Sequence, residues 1–396
     1  MDAELDLLSM TATIGLSFFI LGIGLGPLLT SPLTSWILFM IWNITTAVSR
    51  NIQTVLIARI LAGFAGGIFL SVFGGTVKDV FPLDQIQIPM TLVSSAPFIG
   101  PCLGPLIEGF ISYNADWRWN FYFVIIWSAC LLLGIIFFVP ETYHPIRLKA
   151  KARIIHKKTG DERYKAPIET AHTASSNALV FSLLRPFQLL FLELMCLALD
   201  LYSSILLGML YLFFQSFPLL FKITYGFNLW QVGLTFLGMA FGMIVAATST
   251  PLWHRLRERL VNIHEKEIPA VAGSVLVSIG LFWFGWTIYS DVHWIVPIMG
   301  FAIFGYGMLL VFTGILTFIV DAYPQYAASA LAGNGFARCS LAAVLPLFGN
   351  QVSTGLSFHW ATNLLAFLSV IMIPLPWLFI KYGKKLRAKS RFALSC

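Results

Sequence analysis

Four ionisable side chains, Arg59, Glu193, Asp200 and Arg338, stand among residues that are almost wholly apolar. An ionisable group inside a hydrocarbon layer is costly and marks a solute or ion pathway by default. Glu193 and Asp200 are seven residues apart, about two helical turns, so on one helix they share a face. With Tyr202 nearby, an acidic face of this kind opening on a cavity would suit a cationic solute and could take up a proton. The alternative for Glu193 is a carboxylate at headgroup level. Asn334 and Arg338 are four apart and point the same way; they line a cavity or serve packing. Arg59 belongs to a pathway or is a structural arginine bonded to the carbonyls of neighbouring helices.

Other chemistries find no residues to carry them. The seven histidines are scattered without ligand spacing. Cys102, Cys130, Cys196, Cys339 and Cys396 form no CxxC pair. Four of them lie in apolar runs, where a cysteine behaves as a small buried hydrophobe. No metal site, redox site or enzymatic constellation is expected. No phosphate-binding G-x-x-x-x-G-K-[ST] loop occurs, so ATP hydrolysis is not the driving reaction.

The elements that must hold these residues are long and apolar. Hydrophobic residues make up 58% of the chain and charged ones 11%, against about 25% charged in a soluble domain. About twenty apolar residues cross a hydrocarbon core of ~30 Å. Such runs occur at 8–30, 33–49, 52–77, 87–111, 119–139, 189–221, 229–250, 269–289, 294–320, 325–349 and 357–380, which predicts eleven transmembrane helices. The chain divides into a first bundle of five helices (1–139), a basic central loop (140–188), a second bundle of six (189–380) and a basic tail (381–396).

Charge sets the orientation. The central loop, the segment 253–268 and the tail together hold 19 of the 25 Lys and Arg residues. Even numbers of spans separate them, so all three can lie on the cytoplasmic side. The net charge of +7 then reports topology rather than nucleic-acid binding. The basic stretch 147–165 also suits anionic headgroups. The opposite connections carry only Arg50, Arg118 and Lys222. With five spans before the loop, Met1 is expected outside. No cleavable signal is evident, because the opening MDAELDL is acidic. The 35 Phe, 12 Trp and 12 Tyr mostly face lipid or other helices. Trp294 and Trp377 read as interface anchors. The glycosylation-like string Asn43-Ile44-Thr45 lies inside a span and is expected to be unused.

The halves echo each other faintly: Thr30-Ser31-Pro32-Leu33 in one, Ser249-Thr250-Pro251-Leu252 in the other. Parallel repeats of six helices build one large transporter class. Further strings carry a narrower likeness: Arg59 to Gly63 (RILAG), Gly100 to Pro105 (GPCLGP), Trp117 to Tyr122 (WRWNFY), Pro140 to Tyr143 (PETY), Phe227 to Leu234 (FNLWQVGL) and Asp321 to Ala330 (DAYPQYAASA). In this order the chain resembles the major facilitator superfamily, and within it the fungal drug:proton antiporters of the polyamine and multidrug exporter clade. Two features depart from that pattern. The chain starts where the family's second helix would begin. Only Ser31 to Ser35 remains of a loop that in the family carries charge. Glu108-Gly109 stands where the family has a glycine pair; the carboxylate is expected to meet water at the interface.

The resemblance implies an all-α membrane protein with the major facilitator fold. It implies a proton-coupled secondary transporter that exports drugs, polyamines or a secondary metabolite by alternating access. Its partners would be a small-molecule substrate, protons and the lipid bilayer, with no nucleic acid and no cofactor beyond the proton gradient, in a monomer of the cell or vacuolar membrane. Arg59 would serve proton coupling or conformational control. Gly100, Pro101, Gly104 and Pro105 would form a bent, closely packed gating helix. Glu193, Asp200, Tyr202, Asn334 and Arg338 would line the substrate and proton pathway. The departures leave two other expectations open: a transport-inactive relative, and a nutrient importer of the same fold.

Overall fold

The structure, a computed structural model, describes residues 2–26, 32–67, 77, 80–81, 87–138, 147–149, 151–152, 176–260, 268–323, 326–349 and 358–389. The first group of helices is α1 (Asp2–Leu25), α2 (Pro32–Val48), α3 (Ile52–Gly67), α4 (Gln87–Asn114) and α5 (Arg118–Phe138). The second is α6 (Ser176–Leu192), α7 (Leu194–Tyr225), α8 (Leu229–Leu260), α9 (Ile268–Thr287), α10 (Ile295–Ala322), α11 (Ala327–Val344), α12 (Phe358–Met372) and α13 (Pro374–Lys389). Among the described residues, seven helical segments are long and apolar enough to cross a membrane, and Met10–Leu25, Thr34–Val48 and Ile52–Gly67 are shorter apolar helices.

The described helices depart from the hydropathy reading at several boundaries. The span expected at 189–221 is broken at Glu193, whose backbone is extended (φ −101°, ψ 104°), so α6 reaches back across the expected loop boundary at 188. The span at 357–380 turns at Ile373 and restarts with Pro374. Proline suits this first helical position because its missing N–H would be unpaired there anyway. The helix expected at 52–77 is described only to Gly67; residues 68–76 lie outside the described residues, as do 27–31 and the PETY string.

The pairing of helices repeats. In the first bundle α3 packs against α1 and α2, and α2 against α5; in the second, α10 packs against α8 and α9, and α9 against α12. The correspondence α1–α8, α2–α9, α3–α10, α4–α11 and α5–α12 follows. The bundles meet along α4 with α8 and along α1 with α11, and that correspondence exchanges these two contacts. Helix α7 packs on α11 and has no counterpart in the first bundle among the described residues.

Glycines bring the paired helices to backbone distance. A Cβ on Gly63 or Gly67 of α3 would strike the carbonyl oxygens of Phe19 and Ile23 on α1. Reciprocally, one on Gly22 or Gly26 would strike those of Ile60 and Phe64. Gly242 stands in the same relation to Ala302, joining α8 to α10. Close approach of this kind drives helix association in lipid, where apolar burial gives no advantage. The second bundle also has an aromatic core. Phe217, Phe236, Phe284, Phe301 and Phe304 are fully buried, and the Phe217 and Phe301 rings lie 4.2 Å apart. Gly226 ends α7 with φ 68°, and its N–H reaches the Lys222 carbonyl at 3.1 Å, a left-handed cap that glycine adopts without strain.

Candidate functional site

The polar residues of the second bundle gather where α7 crosses α11. Asn334 Nδ2 donates to Asp200 Oδ1 at 2.7 Å and to Ser203 Oγ at 2.8 Å. Cys196 Sγ donates to Asp200 Oδ2 at 3.5 Å. Asp200 is 1% exposed and Asn334 0%, so neither water nor a passing solute reaches this bond. Tyr202 is equally buried on the same helix.

The acidic face anticipated on α7 is therefore not an open one. Asp200 is enclosed by its donors. Glu193 sits at the break before α7, buried, with Tyr323 Oη donating to Oε2 at 3.4 Å. Tyr323 follows Asp321 and Ala322 of the DAYP string; that string thus ties the end of α10 to the α6–α7 break. The Asp321 side chain lies outside the described residues.

Arg338 lies one turn after Asn334, near the middle of α11. Its guanidinium carbon stands 5.5 Å from the Phe312 ring centroid, and Phe312 meets Phe98 of α4 at 4.5 Å. Nε is buried with no hydrogen-bond partner, and no ion pair reaches the guanidinium among the described residues. The side chain as a whole is half-buried. Asp200 and Tyr211 are near enough to act on it electrostatically. One turn beyond Tyr211, Gln215 Nε2 donates to Thr13 Oγ1 of α1 at 2.9 Å. Gln215 Oε1, Ser17 Oγ and Asn334 Oδ1 are buried and lack partners. Gln215 Oε1 and Ser17 Oγ thus lie where α7 meets α1, and Asn334 Oδ1 lies between α7 and α11, ~18 Å back along α7. Buried polar atoms are nearly always paired, so each of these atoms needs a reason.

Arg59 and Glu108 occupy the first bundle. Arg59 packs over the rings of Phe121 (4.6 Å) and Phe19 (5.6 Å). Glu108 is within its electrostatic reach and is exposed. Both lie toward the end where α2 joins α3 and α4 joins α5, since Arg118 Nη2 donates across those two connections to the Ser49 carbonyl at 3.3 Å. Gly100 and Gly104 have nothing within 4 Å of a built Cβ. The close approach on α4 comes beside them instead. A Cβ at Gly109 would stand 2.7 Å from the Leu229 oxygen, and one at Gly233 would stand 2.8 Å from the Pro105 oxygen. Pro97, Pro101 and Pro105 all lie within α4.

Sequence reasoning missed Gln215, Thr13, Ser17, Tyr211 and Phe98. Each is an ordinary residue for an apolar helix, and only their meeting across helices distinguishes them. The partnership of Glu108 with Arg59 was also missed, although the glutamate's replacement of a family glycine was a signal.

Comparison with known proteins accords with this geometry. The Major Facilitator Superfamily profile matches residues 8–346. An efflux pump of Aspergillus terreus, atB, is 48% identical over 94% of this chain and 83% of its own length. A probable drug/proton antiporter of Saccharomyces cerevisiae, YHK8, is 41% identical over 96% of this chain and 78% of its own. A multidrug transporter of Aspergillus fumigatus, mdrA, is 38% identical over 99% and 68%. Among solved structures, the inward-open xylose transporter XylE from E. coli superposes with a TM-score of 0.65 at 14% identity, over 94% of this chain and 86% of that one. The repeated helix pairing, the paired seams and these matches give one conclusion: the chain belongs to the major facilitator superfamily, a multi-pass membrane transporter rather than an enzyme.

Proposed function

We propose that this transporter is a proton-coupled exporter of small organic compounds: drugs, polyamines or a secondary metabolite. The observation that carries the reading is a set of unpartnered polar atoms on α1, α7 and α11: Ser17 Oγ, Gln215 Oε1 and Arg338 Nε. A region that the protein itself leaves unsatisfied is where a solute would be held while two bundles rock around it. The names of the fungal relatives support export as the direction.

The residues then take separate roles. Arg338 meets the solute. Asp200 fixes Asn334, and Tyr202 turns to Ser274 of α9. Glu193 holds the α6–α7 break against Tyr323. Arg59 and Glu108 form the coupling pair toward the extracytoplasmic end. With Glu108 charged, its attraction to Arg59 draws α3 and α4 together there. Protonation from outside removes the attraction and lets that end open. A ligand or proton shifts such an equilibrium only through its different affinity for the two states, and Glu108 supplies that difference.

The test is expression in yeast depleted of its own pumps, with surface delivery verified. The expected result is raised drug tolerance, lost on Arg59→Ala. Unchanged tolerance for the parent chain refutes the export reading.

A further inference from the structure

We propose that Arg338 binds the anionic group of the transported solute, and that the substrate class is organic acids with an aromatic or otherwise apolar body. The inference rests on the export reading above and names what the site takes. Its ground is the difference between the acids and the base near the α7–α11 crossing.

Both carboxylates described at the start of α7 are already engaged. Asp200 accepts from Asn334 and Cys196, and Glu193 from Tyr323. A cationic solute would have to break these buried bonds to reach either oxygen. The base is in the opposite condition. A guanidinium carries five N–H donors and no acceptor. That of Arg338 has no hydrogen bond or ion pair among the described residues, and its Nε is buried without a partner. Its one recorded contact is the face of Phe312. An arginine in the middle of a membrane helix is stable only with a partner. The protein offers Asp200 at electrostatic range, but without direct contact.

Carboxylate geometry fits a guanidinium fork through two parallel hydrogen bonds. The surroundings of the guanidinium are aromatic, with Phe312 and Phe98 buried and packed at 4.5 Å, so the body of the acid is expected to be apolar. Glu108 does not compete, because it belongs to Arg59 in the first bundle. An anionic cargo also leaves a negatively charged cytoplasm down the electrical potential, the direction required of an exporter.

The experiment is equilibrium binding of radiolabelled 1-naphthoate and 1-naphthylmethylamine to the full chain in nanodiscs, with Arg338→Gln and Arg338→Lys as variants. Naphthoate is expected to bind and the amine not. Arg338→Gln should weaken naphthoate at least ten-fold, and Arg338→Lys should retain a measurable part. A monodisperse gel-filtration peak is required of each variant. If Arg338→Gln does not meet it, the Arg338→Lys result and the preference of the parent chain decide. Equal or preferential binding of the amine, no binding of naphthoate, or naphthoate affinity unchanged in a folded Arg338→Gln would each overturn the proposal. Binding is measured without transport, so a failed export assay leaves this result to stand on its own.

Discussion

The bond between Asp200 and Asn334 offers the sharpest test of the site. Replacing Asn334 by Ala removes the donor to Asp200 Oδ1 at 2.7 Å and to Ser203 Oγ at 2.8 Å. It leaves the carboxylate with only the thiol of Cys196, a weak donor at 3.5 Å. Interhelical hydrogen bonds in membrane proteins average ~0.6 kcal/mol and reach ~1.7. A bond to a charged group is worth about 1.5–3 kcal/mol. This one is short, charge-assisted and closed to water on both sides, so the upper part of the combined range applies. We expect a coupling energy of about 2 kcal/mol from the cycle Asp200→Ala, Asn334→Ala and the double variant. The single Asn334→Ala should cost more than the coupling, about 3 kcal/mol, because a buried acceptor is stranded. The double variant should be more stable than the two losses added. Reversible unfolding in mixed micelles titrated with SDS, followed by circular dichroism, measures each corner. A second cycle, Asp200 against Arg338→Leu, should give a smaller coupling, about 1 kcal/mol or less, since no ion pair joins them. A coupling below about 0.5 kcal/mol in the first cycle, or a larger one in the second, would refute the assignment of Asp200 to Asn334.

Three further outcomes follow from the geometry. Gly63→Val should cost about 3 kcal/mol or prevent assembly, because its side chain meets the Phe19 carbonyl of α1, whereas Gly104→Ala, with open space around it, should change stability by less than about 1 kcal/mol in the same unfolding assay. Glu108→Gln should leave export of a fluorescent dye insensitive to external pH between 5 and 7.5 while the parent responds; a parallel response in both would remove Glu108 from coupling. Tyr323→Phe should cost about 1 kcal/mol by removing the hydroxyl that reaches Glu193, seen as a lower midpoint in SDS, and an unchanged midpoint would mean that the 3.4 Å contact holds nothing.

The long apolar spans were legible because hydrocarbon demands about twenty residues per crossing and tolerates few charges. The repeat was legible too, faintly. Ser31-Pro32 follows α1 and Ser249-Thr250-Pro251 lies late in α8, and the helix pairing makes α1 and α8 counterparts. The break at Glu193 was not legible. The string Leu190 to Leu197 contains no proline or glycine, and the hydrogen-bond ladder is nearly kept, with Glu193 N–H reaching Leu189 at 3.4 Å and Leu197 N–H reaching Glu193 at 2.9 Å. At the break the Glu193 carboxylate accepts from Tyr323, 130 positions away, a contact no local pattern announces. The glycines of the GPCLGP string show the converse. Their type promised close packing, but the neighbours that arrive meet Pro105 and Gly109 instead, because contact depends on where α8 runs and not on α4 alone.

The charge of the pathway depends on pairings that no spacing rule contains. Asp200 had two candidates on one face of α11, Asn334 and Arg338, four residues apart. Had Arg338 taken the carboxylate, the crossing would hold a closed ion pair and an amide free to bond in either sense, with no net demand for a solute's charge. Asn334 takes it instead, across 134 residues of sequence, and the guanidinium is left with an aromatic face and no acceptor. Glu193 and Asp200, read singly, suggested an acidic face for a cationic solute; paired, both are engaged within the protein and the guanidinium is not. On the proposed reading the charge of the site is set at the α7–α11 crossing, and a single exchange of positions, Asn334→Arg with Arg338→Asn, is expected to close the ion pair and remove naphthoate binding with the composition unchanged. Retention of naphthoate affinity in that exchanged chain would show that the acid is recognised elsewhere.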